Sequence, residues 1–523
     1  MRLVCSLLVM AALLTAVGAG AADWPQWRGP DRNGVAPQGP ALAARWPATG
    51  PKLVWKSDTV AGDEMGGFGC PVVADGRVYL FVNWKTRTPI PQRVLPENGL
   101  VNLGWTPKPP PDDILAAADK ARLSDEREAI KDWTAQQKWA DAWVKANLTD
   151  EQRKQFGQFL KDRIAAGRRA LRWDLLTKLV EIKGKTFDTQ ADLDKWFADN
   201  GVTKEEARQI MGAIPVNRDD ATDTILALNA TNGTQVWRTE YPGQATTWGS
   251  SSTACVTNGR VYVAGHSSLF CLDATTGKEI WVAAIKGSEI SSSPVVVDGV
   301  VILHSGQIAA FDADKGSALW RAKGYSGGNS SPALWHKDGR TYIVSNGGGK
   351  VYCLDPKDGK VMWNVPGGSD STPAIVGDDM VVQTGQKDPG AIAYKLSLTE
   401  ATKVWNVPFS DRGCSPLIAG DNVFLFGGEG GPRGGMCVDL KSGKVAWEEK
   451  VPGHGFSSPV FADGKILQVM EGKLALVEAN PAAYKALAIA NLGTLRCSSA
   501  ALVDGKAYVR LTDKIACYDL TAQ

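Results

Sequence analysis

The chain has 523 residues, with 58 Lys+Arg against 56 Asp+Glu and a formal net charge of +2. That balance excludes a global electrostatic pull toward nucleic acid or an anionic membrane surface, and the length admits one large repeat fold or two or three ordinary domains. The 56 Gly and 19 Trp are both high counts, and both residues recur periodically.

Residues 1–21 read as a secretory signal: Arg2 supplies the charge, Leu3 to Val17 the apolar stretch, and Ala19-Gly20-Ala21 a small-residue cleavage site. The apolar run is too short for a membrane span. Cys5 lies at the start of that stretch rather than after it, which is the wrong side for a lipid-bearing cysteine. The remainder is expected to be exported, periplasmic or extracellular, soluble, and without a transmembrane span. Residues 22–83 hold an N-terminal latch, a strand around Trp55 and the start of a first repeat unit. Residues 84–219 interrupt that unit between strands at Val78 to Val82 and Thr224 to Leu228. Proline-rich sequence (Pro107, Pro109 to Pro111) leads there into helical sequence. Thr149 with Gln152 and Thr203 with Glu206 have the spacing of capping boxes. Phe156, Leu160, Ile164, Leu171, Leu175 and Leu179 follow a helical period and predict one apolar face.

Residues 220–523 are periodic. A Ser/Cys-Pro start, a β-rich run, an Asp-Gly turn, two more β-rich runs, a Gly turn and a Trp recur at about 42 residues, the period of a four-stranded propeller blade. The opening signal falls at Cys70-Pro71, Thr253-Ala254, Ser293-Pro294, Ser331-Pro332, Thr372-Pro373, Ser415-Pro416, Ser458-Pro459 and Ser498-Ser499. The closing Trp falls at 237, 281, 320, 363, 405 and 447. Asp-Gly tolerates the positive φ of tight hairpins. Asp273, Asp312, Asp355 and Asp439 suit hydrogen bonding to turn backbone, and the Trp offers a face for packing between units. The last unit stops at Tyr518-Asp519-Leu520 without a fourth strand, and the strand at Trp55 has the form of the missing one. The fold expected is all-β: an eight-bladed β-propeller with a helical insertion in blade 1, monomeric.

Eight cysteines follow the signal. Cys271, Cys353, Cys437 and Cys517 share one third-strand register. Cys255, Cys414 and Cys497 are expected on first strands, with Cys70 beside that register. First and third strands of one sheet lie about 9–10 Å apart, beyond disulfide reach, so thiols are expected.

Leu272-Asp273-Ala-Thr-Thr-Gly277-Lys278-Glu-Ile-Trp281 resembles the tryptophan-docking repeat of PQQ-repeat propellers, the superfamily of quinoprotein alcohol dehydrogenases and of the outer-membrane assembly factor BamB. The opening Asp23-Trp24-Pro25-Gln26-Trp27-Arg28-Gly29-Pro30 resembles the start of exported members. The links between units precede the Ser-Pro signals and bring Phe68, Trp248, Glu289, Asn329, Asp370, Arg412, His454, Phe456 and Arg496 toward the channel mouth, on the face where the insertion is expected to emerge. Convergent polar and aromatic groups in a funnel make a candidate binding site.

The quinoprotein resemblance implies PQQ and Ca²⁺ at this mouth. Glu289 and Asn329 would hold the metal, Asp370 would be the base, Arg412 would lie beside the quinone, and Trp248 would stack on it. The chain departs from those enzymes in lacking adjacent cysteines and a Cys-x-x-Cys-His haem motif. Three readings therefore stand. The favoured one is a non-catalytic scaffold in the cell envelope that binds a partner protein or an extended ligand. The others are a PQQ- and Ca²⁺-dependent alcohol or sugar dehydrogenase, and a carbohydrate-binding propeller using Phe68, Trp248 and Phe456. Only the dehydrogenase reading makes Asp370 catalytic or assigns a cofactor and metal.

Overall fold

The computed structural model describes residues 23–47, 49–246, 249–285, 292–322, 329–427, 434–451 and 456–521. The expected signal segment and Trp248, Glu289 and His454 lie outside these. The chain divides into two compact units, one of Met1–Thr86 with Asp220–Gln523, the other Arg87–Asp219.

The first unit is a succession of four-stranded antiparallel sheets, eight among the described residues. The second sheet is typical: Cys255–Thr257, Arg260–Ala264, Ser268–Asp273 and Glu279–Ala284, paired in chain order. The last sheet is completed out of order. Ala501–Val503, Lys506–Arg510 and Ile515–Asp519 are followed by Lys52–Lys56, which pairs antiparallel with Ile515–Asp519 and sets Trp55 opposite Cys517. A strand from near the start of the chain thus forms the outer edge of the last sheet.

Seven of the eight sheets are fastened to the next by a tryptophan. The Trp237 indole N–H donates to the Ala274 carbonyl at 3.0 Å, Trp281 to Ala313 at 3.1 Å, Trp320 to Pro356 at 2.9 Å, Trp363 to Ser397 at 2.9 Å and Trp405 to Leu440 at 2.7 Å. Trp447 donates to Asn480 at 2.9 Å, and Trp55 carries the pattern across the seam to Ala230 of the first sheet at 2.9 Å. The Asp of the receiving turn holds its shape: Asp273 Oδ1 accepts from Thr276 N at 2.7 Å and Asp439 Oδ1 from Ser442 N at 2.8 Å. The turn glycine is required at this point. A Cβ on Gly277 would meet the Trp237 ring at 2.6 Å, and one on Gly316 the Trp281 ring at 2.5 Å, with φ of +69° and +70°. The seventh sheet, whose fourth strand is Lys485–Asn491, has no such Trp.

No disulfide joins the eight described cysteines. Cys271, Cys353 and Cys437 lie opposite Trp281, Trp363 and Trp447, where they act as small buried hydrophobes. Cys255 opens a first strand. Cys414 and Cys497 do not, contrary to the expectation from sequence. They sit in the links ahead of Leu417–Ala419 and Ala501–Val503, because the turn that begins each unit takes up those positions.

The second unit is helical. Thr149–Gln152 and Thr203–Glu206 form capping boxes, as their spacing predicts, and Thr189–Asp192 forms a third. The single apolar face expected over Phe156 to Leu179 is divided instead. Asp150–Ala166 ends at Gly167, at φ +60°, and a new helix runs over Trp173–Glu181. Leu160 and Ile164 pack with Leu115 and Ala140, whereas Leu171, Leu175 and Leu179 pack with Leu100, Leu193 and Ile210. A periodicity count bridges the break because the interruption leaves the spacing of leucines intact. No helix among the described residues is long and apolar enough to cross a membrane.

Candidate functional site

The links between sheets converge in one register. Immediately before the first strand, seven of the eight residues at the Ser-Pro position donate their backbone N–H to the side chain of the counterpart in the next sheet, the step from Ser331 to Thr372 being the exception. Thr253 N donates to Ser293 Oγ at 3.0 Å, Ser293 N to Ser331 Oγ at 2.9 Å, Thr372 N to Ser415 Oγ at 3.0 Å and Ser415 N to Ser458 Oγ at 3.1 Å. Ser458 N donates to Ser499 Oγ at 2.8 Å, Ser499 N to Cys70 Sγ at 3.1 Å and Cys70 N to Thr253 Oγ1 at 3.0 Å. The belt passes from the last sheet to the first, with one thiol among its hydroxyls. Thr372 Oγ1 accepts from the Trp27 indole at 3.0 Å.

Trp27 belongs to an axial segment that the repeat pattern does not contain. Trp24 exchanges backbone bonds with Val73 at 2.9 and 2.8 Å, Val256 N donates to Pro25 O at 2.8 Å, and Phe461 N donates to Gly34 O at 2.8 Å. Between these anchors lie two buried arginines. Arg32 donates to the carbonyls of Ser293 and Pro294 at 3.0 Å and of Pro332 at 2.5 Å. Arg28 donates to those of Pro416 at 2.6 Å and Asn33 at 2.8 Å. A third buried arginine, Arg510, donates to Gly69 O at 3.1 Å and to Ala61 O. Burial lowers Arg28 to about 9 and Arg32 and Arg510 to about 10, so all three stay cationic at neutral pH. The sequence carried a signal for this segment, a Trp- and Arg-rich stretch outside the repeats. Converging link carbonyls require donors, but their positions are not written in the sequence.

A cavity of about 470 Å³ opens over Trp27. Phe68, Asn329, Asp370, Arg412, Phe456 and Arg496 all line it, so the structure brings together six of the nine residues singled out from sequence. The other three, Trp248, Glu289 and His454, lie outside the described residues. Cys70, Ser293, Ser331, Thr372 and Ser415 contribute the belt, and Gly413 and Cys497 complete the link register. Within the cavity, Arg412 Nε donates to Asp370 Oδ2 at 2.6 Å and Asn329 N donates to Asp370 Oδ1 at 3.1 Å. Arg496 bonds Asp63 at 3.3 Å and lies 5.6 Å over the Phe68 ring. Phe456 (φ +45°) and Cys497 (φ +64°) share one link position in consecutive sheets and hold left-handed backbone there, a conformation that costs a non-glycine residue and that surrounding structure must impose.

A family model described as outer membrane protein assembly factor BamB matches residues 221–425. Over that stretch the chain is similar to the PQQ-repeat family. It is 23% identical over 331 residues to the outer membrane protein assembly factor BamB of Shewanella oneidensis, covering 54% of this chain and 76% of that protein. It is 31% identical over 201 residues to the tetrathionate hydrolase of Acidithiobacillus ferrooxidans, covering 32% of this chain and 39% of that one. The crystal structure of BamB from Moraxella catarrhalis aligns with a TM-score of 0.45 at 16% identity, over 57% of this chain and 88% of that chain.

The described lining residues of this cavity do not by themselves make a calcium site, Glu289 lying outside them. Calcium takes about six to eight oxygen ligands, several of them carboxylate. Among the described lining residues the one carboxylate is Asp370, already neutralised by Arg412. No group of three His, Cys, Asp or Glu suited to a metal occurs among the described residues.

Proposed function

We propose that this chain is an exported eight-bladed β-propeller that serves the cell envelope as a non-catalytic, monomeric binding scaffold, holding a partner protein or an extended ligand. Residues 1–21 act as the export signal, 22–83 as latch and closing strand, 84–219 as a helical insertion in the first blade, and 220–523 as the remaining blades. Eight four-stranded sheets and a hydroxyl belt that passes from the last sheet to the first support the blade count. The relatives named as outer membrane assembly factors support the scaffold role and a periplasmic or extracellular address.

The observation that carries the reading is the state of Asp370. Both its oxygens are engaged, one by the Arg412 guanidinium and one by the Asn329 backbone N–H. A substrate hydroxyl would have to compete with the Arg412 guanidinium and the Asn329 N–H for those oxygens, and Asp370 is the residue a dehydrogenase would need as base. The test has two arms. Protein given PQQ and Ca²⁺, with alcohols or sugars and an artificial electron acceptor, is expected to show no turnover. In cells, the tagged chain is expected to crosslink to an outer-membrane assembly component, with deletion of 112–214 weakening that link and Asp370→Ala sparing it. Turnover abolished by Asp370→Ala would overturn the scaffold reading.

A further inference from the structure

Three buried guanidiniums stand directly behind the cavity wall. Arg32 bonds the carbonyl of Ser293, a lining residue. Arg28 bonds that of Pro416, next to the lining residue Ser415. Arg510 bonds that of Gly69, between the lining residues Phe68 and Cys70. All three are answered by carbonyl oxygens without a carboxylate. The carbonyls take up only part of the donor capacity, Arg28 Nε and Nη1 and Arg510 Nε being buried without a partner among the described residues, and they leave the charge, which in a poorly solvated wall projects positive potential into the nearest open space.

The lining adds hydrogen-bond donors. Ser293, Ser331 and Ser415 each use Oγ to accept a backbone N–H from the neighbouring sheet, so their own O–H groups are left to donate. Arg412 beside Asp370 sets a donor next to an acceptor, the pairing that two adjacent hydroxyls satisfy. Trp27, Phe68 and Phe456 supply apolar surface for the faces of a ring. The volume, about 470 Å³, falls within the usual range of small-molecule sites.

We infer that this cavity binds an acidic saccharide, a sugar bearing a carboxylate or a sulfate. The oxyanion answers the buried cations and the hydroxyl donors, adjacent hydroxyls answer the Asp370–Arg412 pair, and the sugar faces answer the aromatic side chains. A neutral sugar leaves the cationic wall unanswered. An aromatic polycarboxylate leaves the acceptor at Asp370 facing like charge.

Calorimetry on the full mature chain tests this with four probes: digalacturonate, a sulfated galactose disaccharide, galactobiose as their neutral counterpart, and benzene-1,3,5-tricarboxylate. Whichever acidic disaccharide binds identifies the oxyanion, and it is expected to bind at least about tenfold more tightly than galactobiose and more weakly as salt rises. Arg412→Gln, at a side chain 63% exposed and so compatible with folding, is expected to weaken the acidic ligand at least about tenfold. Trp27→Ala is expected to weaken every saccharide. Equal binding of galactobiose, tighter binding of the tricarboxylate than of either acidic sugar, unchanged affinity in Arg412→Gln, or no binding at millimolar concentration to protein with native circular dichroism would each overturn the assignment. Crosslinking to an assembly component is a separate readout, so failure here leaves the scaffold reading standing.

Discussion

The seam of the ring offers a sharp test of the docking interaction. Trp55 is buried, its indole bonds Ala230, and a Cβ built on Gly233 would meet the Trp55 ring at 2.3 Å with φ at +76°. Gly233→Ala therefore carries two costs: about 1–2 kcal/mol for left-handed backbone and about 1–3 kcal/mol for overpacking. Trp55→Ala alone should cost about 3–5 kcal/mol through lost burial and the lost indole bond. In the double variant the ring is gone and the overpacking cost vanishes, so the pair should be less destabilised than the sum by about 1–3 kcal/mol. Gly299 provides the control, having φ of +78° and no atom within 4 Å of a built Cβ. Gly299→Ala should cost only the backbone portion and should add to Trp55→Ala. Urea denaturation at neutral pH, followed by tryptophan fluorescence and by circular dichroism, supplies the free energies. Additivity of Gly233→Ala with Trp55→Ala within about 0.5 kcal/mol would show that the ring does not rest on that glycine, and the docking account of the seam would fall.

Other predictions concern burial and caps. His304 is buried with Nε2 2.7 Å from Ser345 Oγ, and burial lowers its pKa from 6.5 to about 3. As pH falls the unfolded chain takes the proton first, so this stabilisation is complete above about 6.5 and is lost progressively toward about 3, amounting to about 2 kcal/mol between pH 7 and 5. His304→Gln should flatten the pH dependence of the urea midpoint across that window, and an unchanged slope would refute the assignment. Arg32→Met should cost at least about 3 kcal/mol by leaving the carbonyls of Ser293, Pro294 and Pro332 without donors; a melting temperature within a degree of wild type would contradict the axial role. Thr149→Ala should cost about 1 kcal/mol, read as faster amide exchange confined to the first turn of Asp150–Ala166.

The sheets were legible because their marks are local. A turn aspartate, a left-handed glycine and a tryptophan recur at fixed offsets, and each serves the turn or the next sheet in the same way. Trp55 was legible for the same reason, since it lies within the outer strand of its sheet as Trp237 and Trp281 do. The site residues were legible as a register, which is how Phe68, Asn329, Asp370, Arg412, Phe456 and Arg496 came to one cavity. Their mutual bonds were not. That Arg412 reaches Asp370 depends on the length of two link side chains, which the repeat leaves free to vary. The axial segment was hidden more deeply: Arg28 and Arg32 bind backbone carbonyls, and every residue has one. In the helical unit, Leu160 and Leu171 keep helical spacing across Gly167, so a count of leucines cannot see the break.

The axial segment also orders events in time. Arg28 finds Pro416 across 388 residues of chain, and Arg32 finds Pro332 across 300. Trp55 waits still longer, for Cys517. Residues made early are thus committed to partners made late, so the sheets between them must assemble around an axis not yet filled and a ring not yet shut. Contacts of such long range are slow to form. Until they do, the arginines remain hydrated, the outer edge at Ile515–Asp519 remains bare, and the chain is open to strand exchange and to proteases. Closure is then a single late step that converts a row of sheets into a kinetically protected body, and a chain cut short by a few residues at its end forfeits that protection for all that precedes it.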